Sequence, residues 1–304
     1  MAQRPGGVVN QGWKDSFNAV QHDDGTIAEP PIALVEVQGY VYQAKIGMAR
    51  LLRRRGQTDT ADRLEREAVD LRARFNRDFW MEDLRFYAQA LDGNKRHVRS
   101  ITSNPGHCIW SGICDLDKAH AVATRLMERD MFSGWGLRTL STQSPNFNPM
   151  SYHNGSVWPH DTSIIALGLR RLGRNEEAIQ LVAGVIEAGF RFDEARLPEL
   201  FCGFPRDRRF NSSPAAYIVS CSPQAWAAGC VFMLLQSMLD LRPDVGGGAV
   251  YATPLLPSLF TRVELKHMRV GRHRVDLRVD TDAEGVHVQS SRALANEFSP
   301  VGAG

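Results

Sequence analysis

Apolar residues recur at helical spacing over most of the chain, from about residue 31 to residue 241. In 60–79, Ala61, Leu64, Ala68, Leu71, Phe75 and Phe79 repeat at three and four, while Asp62, Arg63, Glu65, Arg66 and Glu67 face elsewhere. Segment 174–190 repeats the pattern through Ala178, Leu181, Val182, Val185, Ile186 and Phe190, and 117–131 does so more weakly. These predict helices with one solvated side. Segments 32–52, 157–172 and 223–241 are apolar nearly all round and read as helices buried on most sides. Ser222 and Pro223 would cap and open the last of them. A further helix is expected near 105–114.

The alternation of buried and amphipathic helices describes two concentric layers, as in an α/α toroid. Arg55-Gly56-Gln57 and Leu172-Gly173-Arg174 fit tight helix hairpins. The long loops 80–104, 132–156 and 191–222 would then gather at the opposite rim, with most of the tryptophan, asparagine and histidine. After Leu241 the pattern changes. Arg242 to Gly248 reads as a linker, and Val275, Leu277 and Val279, then Val286 and Val288, alternate as a hairpin or small sheet. The expected division is a helical part, 1–245, and a closing β-rich segment with a frayed tail, 246–304.

Composition narrows the function classes. The 304 residues are 43% hydrophobic and 23% charged, with net charge +2 from 36 basic and 34 acidic residues. That excludes wholesale disorder and gives no reason to expect a nucleic acid or an anionic membrane as partner. Cys108, Cys114, Cys202, Cys221 and Cys230 contain no C-x-x-C pair and read as buried free thiols of a reducing compartment. The first residues lack the apolar core of a signal peptide, and no apolar run is long enough for a membrane span, so a cytoplasmic location is expected.

Two carboxylates stand in informative settings. Asp15 lies in Asn10-Gln11-Gly12-Trp13-Lys14-Asp15-Ser16, beside an indole and a lysine. Trp13 offers a face for a sugar ring, Lys14 can bond hydroxyls, and apolar neighbours would desolvate a general acid. The alternative is a turn residue capping a helix. Glu199 follows Pro198 among apolar residues. It reads either as a rigid general base or as the partner of Arg196 or Arg206. Between them, His153, Asn154, Trp158, His160 and Asp161 open a buried helix, and Glu36 and Gln38 lie near the start of another. Glu36 and Gln38 occupy different helix faces, so one of them at most would enter a site. Glu29 is a further candidate. The seven-residue spacing of His153 and His160 does not suit a helical zinc pair, so sugar contacts are favoured over a metal.

These residues carry a family resemblance. Asn10–Ser16, then Ala28-Glu29-Pro30-Pro31 through Tyr40, Gly134-Trp135-Gly136-Leu137-Arg138-Thr139-Leu140-Ser141, Ser151–Asp161 and Leu197–Arg206, and finally Pro254-Leu255-Leu256-Pro257 through Leu277, follow one another in order. The chain resembles the bacterial amylo-α-1,6-glucosidase (glycogen-debranching-like) proteins, close to the mannosylglycerate-hydrolase-like six-hairpin glycosidases. The resemblance implies a mainly α fold, an (α/α)6 toroid with a glycoside-binding pit. It implies an inverting mechanism with Asp15 as acid and Glu199 as base. Trp13, Lys14, Glu36, Gln38, His153, Asn154, Trp158, His160, Asp161 and Arg206 are the expected substrate contacts. No metal or cofactor is implied, and the partner is a small carbohydrate. Family members carry further hairpins ahead of Asn10, so the expected shape here is an incomplete ring, prone to self-association. The rival reading is a non-catalytic remnant that binds carbohydrate or a protein partner. A helical-repeat scaffold is disfavoured, because the loops are long and no period of about 34 residues recurs.

Overall fold

The structure, a computed structural model, describes residues 10–207, 209–210, 212–244 and 249–291. The glycines of the expected linker and most of the expected frayed tail lie outside the described residues. Among those described there are seven α-helices: α1 Val35–Arg54, α2 Thr58–Asp78, α3 Asn104–Ser111, α4 Leu116–Leu126, α5 Pro159–Arg171, α6 Asn175–Gly189 and α7 Ala225–Leu239. Each answers an expected segment. Helix α7 starts later than expected: Gln224 is its cap, the side chain accepting from the Ala227 N–H, in place of Ser222.

The packing is two-layered. Helices α1, α3, α5 and α7 pack side by side in that order, and α2, α4 and α6 lie behind their hairpin partners. The turns at Gly56 and Gly173 are tight because both take positive φ, +74° and +81°, which costs glycine little. Successive inner helices are separated by an outer helix running back, so they share one direction and their N-termini meet at one end. Close approach within the row rests on small residues. A side-chain atom at Gly39 of α1 would lie 2.6 Å from the Ser111 hydroxyl of α3, and one at Gly168 of α5 would lie 2.8 Å from the Trp110 backbone nitrogen.

The middle of the row is buried, and Ile165, Ala166 and Leu169 of α5 are central to the main core. The ends are not. Val41, Met48 and Leu51 of α1 and Trp226, Val231 and Phe232 of α7 are exposed. The expectation that both helices are buried on most sides fails there. Each is apolar on a flank that no helix covers among the described residues. This is the open edge of an incomplete ring.

Short strands fill the rim. They are β1 Ala33–Leu34, β2 Trp80–Met81, β3 Phe86–Tyr87, β4 Ala90–Leu91 and β5 His97–Val98. β1, β4 and β5 form one antiparallel sheet and β2–β3 a ribbon. Ala19, Val20 and Ala28 pack on that sheet with Leu34, Ala90 and Val98, and Gln89 donates to the Ala19 carbonyl at 2.8 Å. This seats the N-terminal segment across the rim. Beyond α7, β6 Arg242–Asp244 pairs with β7 Ala249–Tyr251. The closing sheet then runs β8 Arg262–Val270, β9 His273–Asp282 and β10 Gly285–Ser290, with β9 central. Leu277 and Val279 join the helical core. The thiols are free, and four are buried as expected, but Cys221 is exposed.

Candidate active site

The site forms where the inner helices begin. The N-terminal turns of α1, α3, α5 and α7 supply Glu36, His107, His160 with Asp161, and Trp226, and the positive ends of the helix dipoles converge there. A ladder of single bridges, Arg138 to Val157 to Phe201 to Ala216, ties the loops beside the row. It fixes Tyr152–Trp158 next to Leu197–Phe201. Asn154 braces the N-terminal segment, its amide donating to the Asn18 carbonyl at 2.8 Å. The Lys14 ammonium does likewise, donating to the Thr139 carbonyl at 2.7 Å.

Glu199 is nearly buried and accepts three hydrogen bonds: from the Tyr152 hydroxyl at 2.8 Å, the Gln224 amide at 3.3 Å and the Cys221 N–H at 3.3 Å. Neither expected arginine partners it. Arg196 pairs with Glu194, and Arg206 with Glu187. Asp15 is the opposite case: its side chain is 70% exposed, so the apolar enclosure expected for it is missing. Its carboxylate lies 4.0 Å from His153 Nε2. His153 Nδ1 accepts from the Ser16 hydroxyl at 2.8 Å and the Ser16 N–H at 3.4 Å. His153 Nε2 is buried and completes no hydrogen bond among the described residues. Tyr152 and His153 are neighbours with ring centroids 4.5 Å apart, and Tyr152 feels the charges of both Asp15 and Glu199. Asp15 thus lies beside His153, and Glu199 beside the adjoining Tyr152.

Behind them lies a buried polar layer. The Tyr40 hydroxyl meets His107 Nδ1 at 2.5 Å, and His107 Nε2 meets Asp161 Oδ1 at 2.8 Å. Burial pushes the Asp161 pKa up, but the His107 bond and the charges of His107, Lys14 and His160 outweigh it, and the net direction is down. Burial pushes His153 down to about 3, helped by Lys14 and His160, and His160 down to about 4. It also takes Lys14 down to about 8, against the pull of Asp161 and Glu36, and raises Glu36. Glu36 lies near Asn104, yet neither carboxylate oxygen completes a hydrogen bond among the described residues; the same holds for both His160 nitrogens and Asp161 Oδ2. Buried groups of this kind ordinarily find partners.

The aromatic groups stack in tiers. Trp13 lies over His107 at 6.1 Å and edge-on to Trp158, His153 and His160. Trp158 is buried and its indole N–H donates to the Tyr152 carbonyl at 2.9 Å, so it is a core residue rather than a free sugar platform. Trp226 is 52% exposed and stacks on His160 at 4.1 Å, which makes it the open aromatic face of the group.

Most of the candidates therefore come together, and three do not. The Arg206 guanidinium is spent on Glu187 of α6 and the Trp135 ring, 4.1 Å away, on the outer-layer side. The Gln38 amide folds back to the Leu34 carbonyl at 3.0 Å. Glu29 is exposed and accepts from Asn94 at 2.7 Å. Tyr40, His107, Tyr152 and Trp226 join the group, although the sequence does not single them out. Helical periodicity assigns Tyr40 and Trp226 to apolar faces, and nothing local marks His107, whose partner Asp161 is 54 positions away.

Comparison with known proteins bears on the family and the fold. A family model described as the mannosylglycerate hydrolase MGH1-like glycoside hydrolase domain matches residues 7–201. A solved sialidase superposes with TM-score 0.72 at 13% identity, covering 92% of this chain and 27% of its own. The GH63 mannosylglycerate hydrolase from Thermus thermophilus, in complex with glucose, gives 0.54 at 17% identity, covering 67% and 48%. Neutral trehalase Nth1 from Saccharomyces cerevisiae gives 0.54 at 13% identity, covering 74% and 41%. At such identities the likeness is one of fold, and the chain spans less than half of each of these structures. No curated protein matches the chain. The extent of the family match decides the matter: this chain belongs to the mannosylglycerate hydrolase MGH1-like glycoside hydrolases and carries an incomplete (α/α)6 toroid of the six-hairpin glycosidase kind.

Proposed function

We propose that the chain carries the carboxylate pair of an inverting glycoside hydrolase acting on α-linked glucosyl or mannosyl groups. The observation that supports this most is Glu199, held by three donors of which the Tyr152 hydroxyl is one, with Asp15 4.0 Å from the adjoining His153. A carboxylate fixed only by donors keeps lone pairs directed at a water. Glu199 takes a proton from that water as its oxygen bonds to the anomeric carbon. Asp15 gives its proton to the glycosidic oxygen on the other face as the bond from carbon to that oxygen breaks. Such a pair works with carboxyls roughly 6.5–9.5 Å apart, leaving space for the water. A sugar seated against Trp226 and the edge of Trp13 would cover Asp15 and supply the enclosure it lacks here.

The mannosylglycerate hydrolase named above makes mannosylglycerate and glucosylglycerate the first substrates to try. Amylo-α-1,6-glucosidase activity is the next. The test is reducing-sugar release from these and from small α-glucosides, by the wild type and by Asp15→Asn and Glu199→Gln. A group that transfers a proton contributes about 10²–10⁴-fold. Turnover that falls on this scale in both variants supports the reading, and wild-type turnover in either removes that residue. The exposure of Asp15 favours a second reading, carbohydrate binding without hydrolysis, in which all three proteins bind the sugars and none turns them over.

A further inference from the structure

The opposite end of the inner row holds a second concavity. Helix α3 has 8 residues and α1 has 20, so at 1.5 Å per residue α3 spans about 12 Å beside a neighbour of about 30 Å. It stops at Gly112, beside open space. The later turns of α1 and the end of α5 continue past it. What remains between α1, α2, α4 and α5 is a cavity of about 450 Å³, the size of a small-molecule site. Along α1, Arg50 is 14 positions beyond Glu36, about 21 Å from the polar layer of the carboxylate site.

The lining has a definite chemical character. Three arginines, Arg50, Arg72 and Arg171, reach it from three helices, and no aspartate or glutamate lines it among the described residues. Arg72 donates to the Cys114 carbonyl at 3.2 Å and forms an ion pair with Asp115 at 3.4 Å, while its buried Nε–H has no partner among the described residues. The buried Trp110 indole N–H is also without one. Arg171 donates to the Trp110 carbonyl at 3.3 Å. Asp240, whose charge acts on Arg171, is already held by Arg242 and Thr253. Ile46, Ile109 and Leu172 supply an apolar wall. Two buried donors without acceptors, Arg72 Nε and Trp110 Nε1, beside an apolar wall match an anionic group carried on a hydrophobic body, and arginine forks suit carboxylate or phosphate oxygens.

We infer that this cavity binds a small organic anion, a carboxylate or phosphate monoester with an aromatic or aliphatic body, at a site separate from the carboxylate pair. The test is calorimetric titration of the full chain in low-salt buffer with phenyl phosphate, benzoate, inorganic phosphate and benzyl alcohol. Phenyl phosphate or benzoate should bind more tightly than inorganic phosphate, and benzyl alcohol should not bind; whichever of the first two is tighter identifies the head group. Arg50→Gln and Arg171→Gln alter side chains at the mouth, so the melting temperature should hold while affinity falls about tenfold in each. Glu199→Gln should leave affinity unchanged. The inference is overturned if neither aromatic anion binds, if the Arg50→Gln/Arg171→Gln double variant binds as the wild type does, or if Glu199→Gln abolishes binding.

Discussion

At the scale of single residues, Trp158 and Trp226 play different parts at the site. Trp158 is buried with its N–H bonded, so Trp158→Ala removes packing and is expected to cost about 3–5 kcal/mol of stability. Trp226 is half exposed on His160, so Trp226→Ala should leave the urea midpoint nearly unchanged and weaken binding of a sugar inhibitor. Equal stability loss in the two would contradict the assignment. The buried histidines make a second prediction. His153 and His160 are held below the unfolded value of about 6.5, so the unfolded state binds more protons. Their contribution is complete above that value and is lost as pH falls toward about 4 and about 3. Glu36, raised by burial, acts in the opposite sense. The melting temperature should therefore fall between pH 7 and 5, and fall less in His160→Gln. An identical slope in that variant would remove His160 from the explanation.

At the scale of elements, the inner helices approach through glycine. Adding a methyl at Gly168 recovers up to about 1 kcal/mol of helix propensity, but the new atom would meet the Trp110 backbone, which cannot swing aside. Overpacking of this kind costs about 1–3 kcal/mol, so Gly168→Ala should lower the urea midpoint, and a raised midpoint would show that the row has slack. The helices of eleven residues or more are legible in the sequence because each carries enough turns for a 3.6-residue period to register. The strands at 80–98 read as loop, since a two-residue strand shows no alternation. Strand β8 escapes the pattern for another reason. A bulge between Leu265 and Met268, with His267 at φ +57°, shifts the inward positions out of step, so Val263 and Leu265 do not run on into Val270. The candidate site is legible where its residues cluster in sequence, as in Asn10–Ser16 and Ser151–Asp161. It is not where tertiary folding alone brings partners together, as with Tyr40, His107 and Asp161.

At the scale of the whole molecule, both ends of the inner row present apolar side chains to solvent. Exposed patches of this kind associate. Light scattering should show concentration-dependent association of the wild-type chain, reduced by Phe232→Glu on α7. A monodisperse monomer at all concentrations would contradict it. Asp15 stands in solvent, while Glu199 is held by its three donors. Function therefore depends on whether the pair acts together once sugar is bound. The most direct measurement is proton NMR of the first product released from an α-linked glycoside, mannosylglycerate or glucosylglycerate, by the wild type and by Glu199→Gln. The expected result is the β anomer appearing first with the wild type, and release falling by about 10²–10⁴-fold in the variant. The α anomer appearing first, or release undiminished in Glu199→Gln, would contradict it.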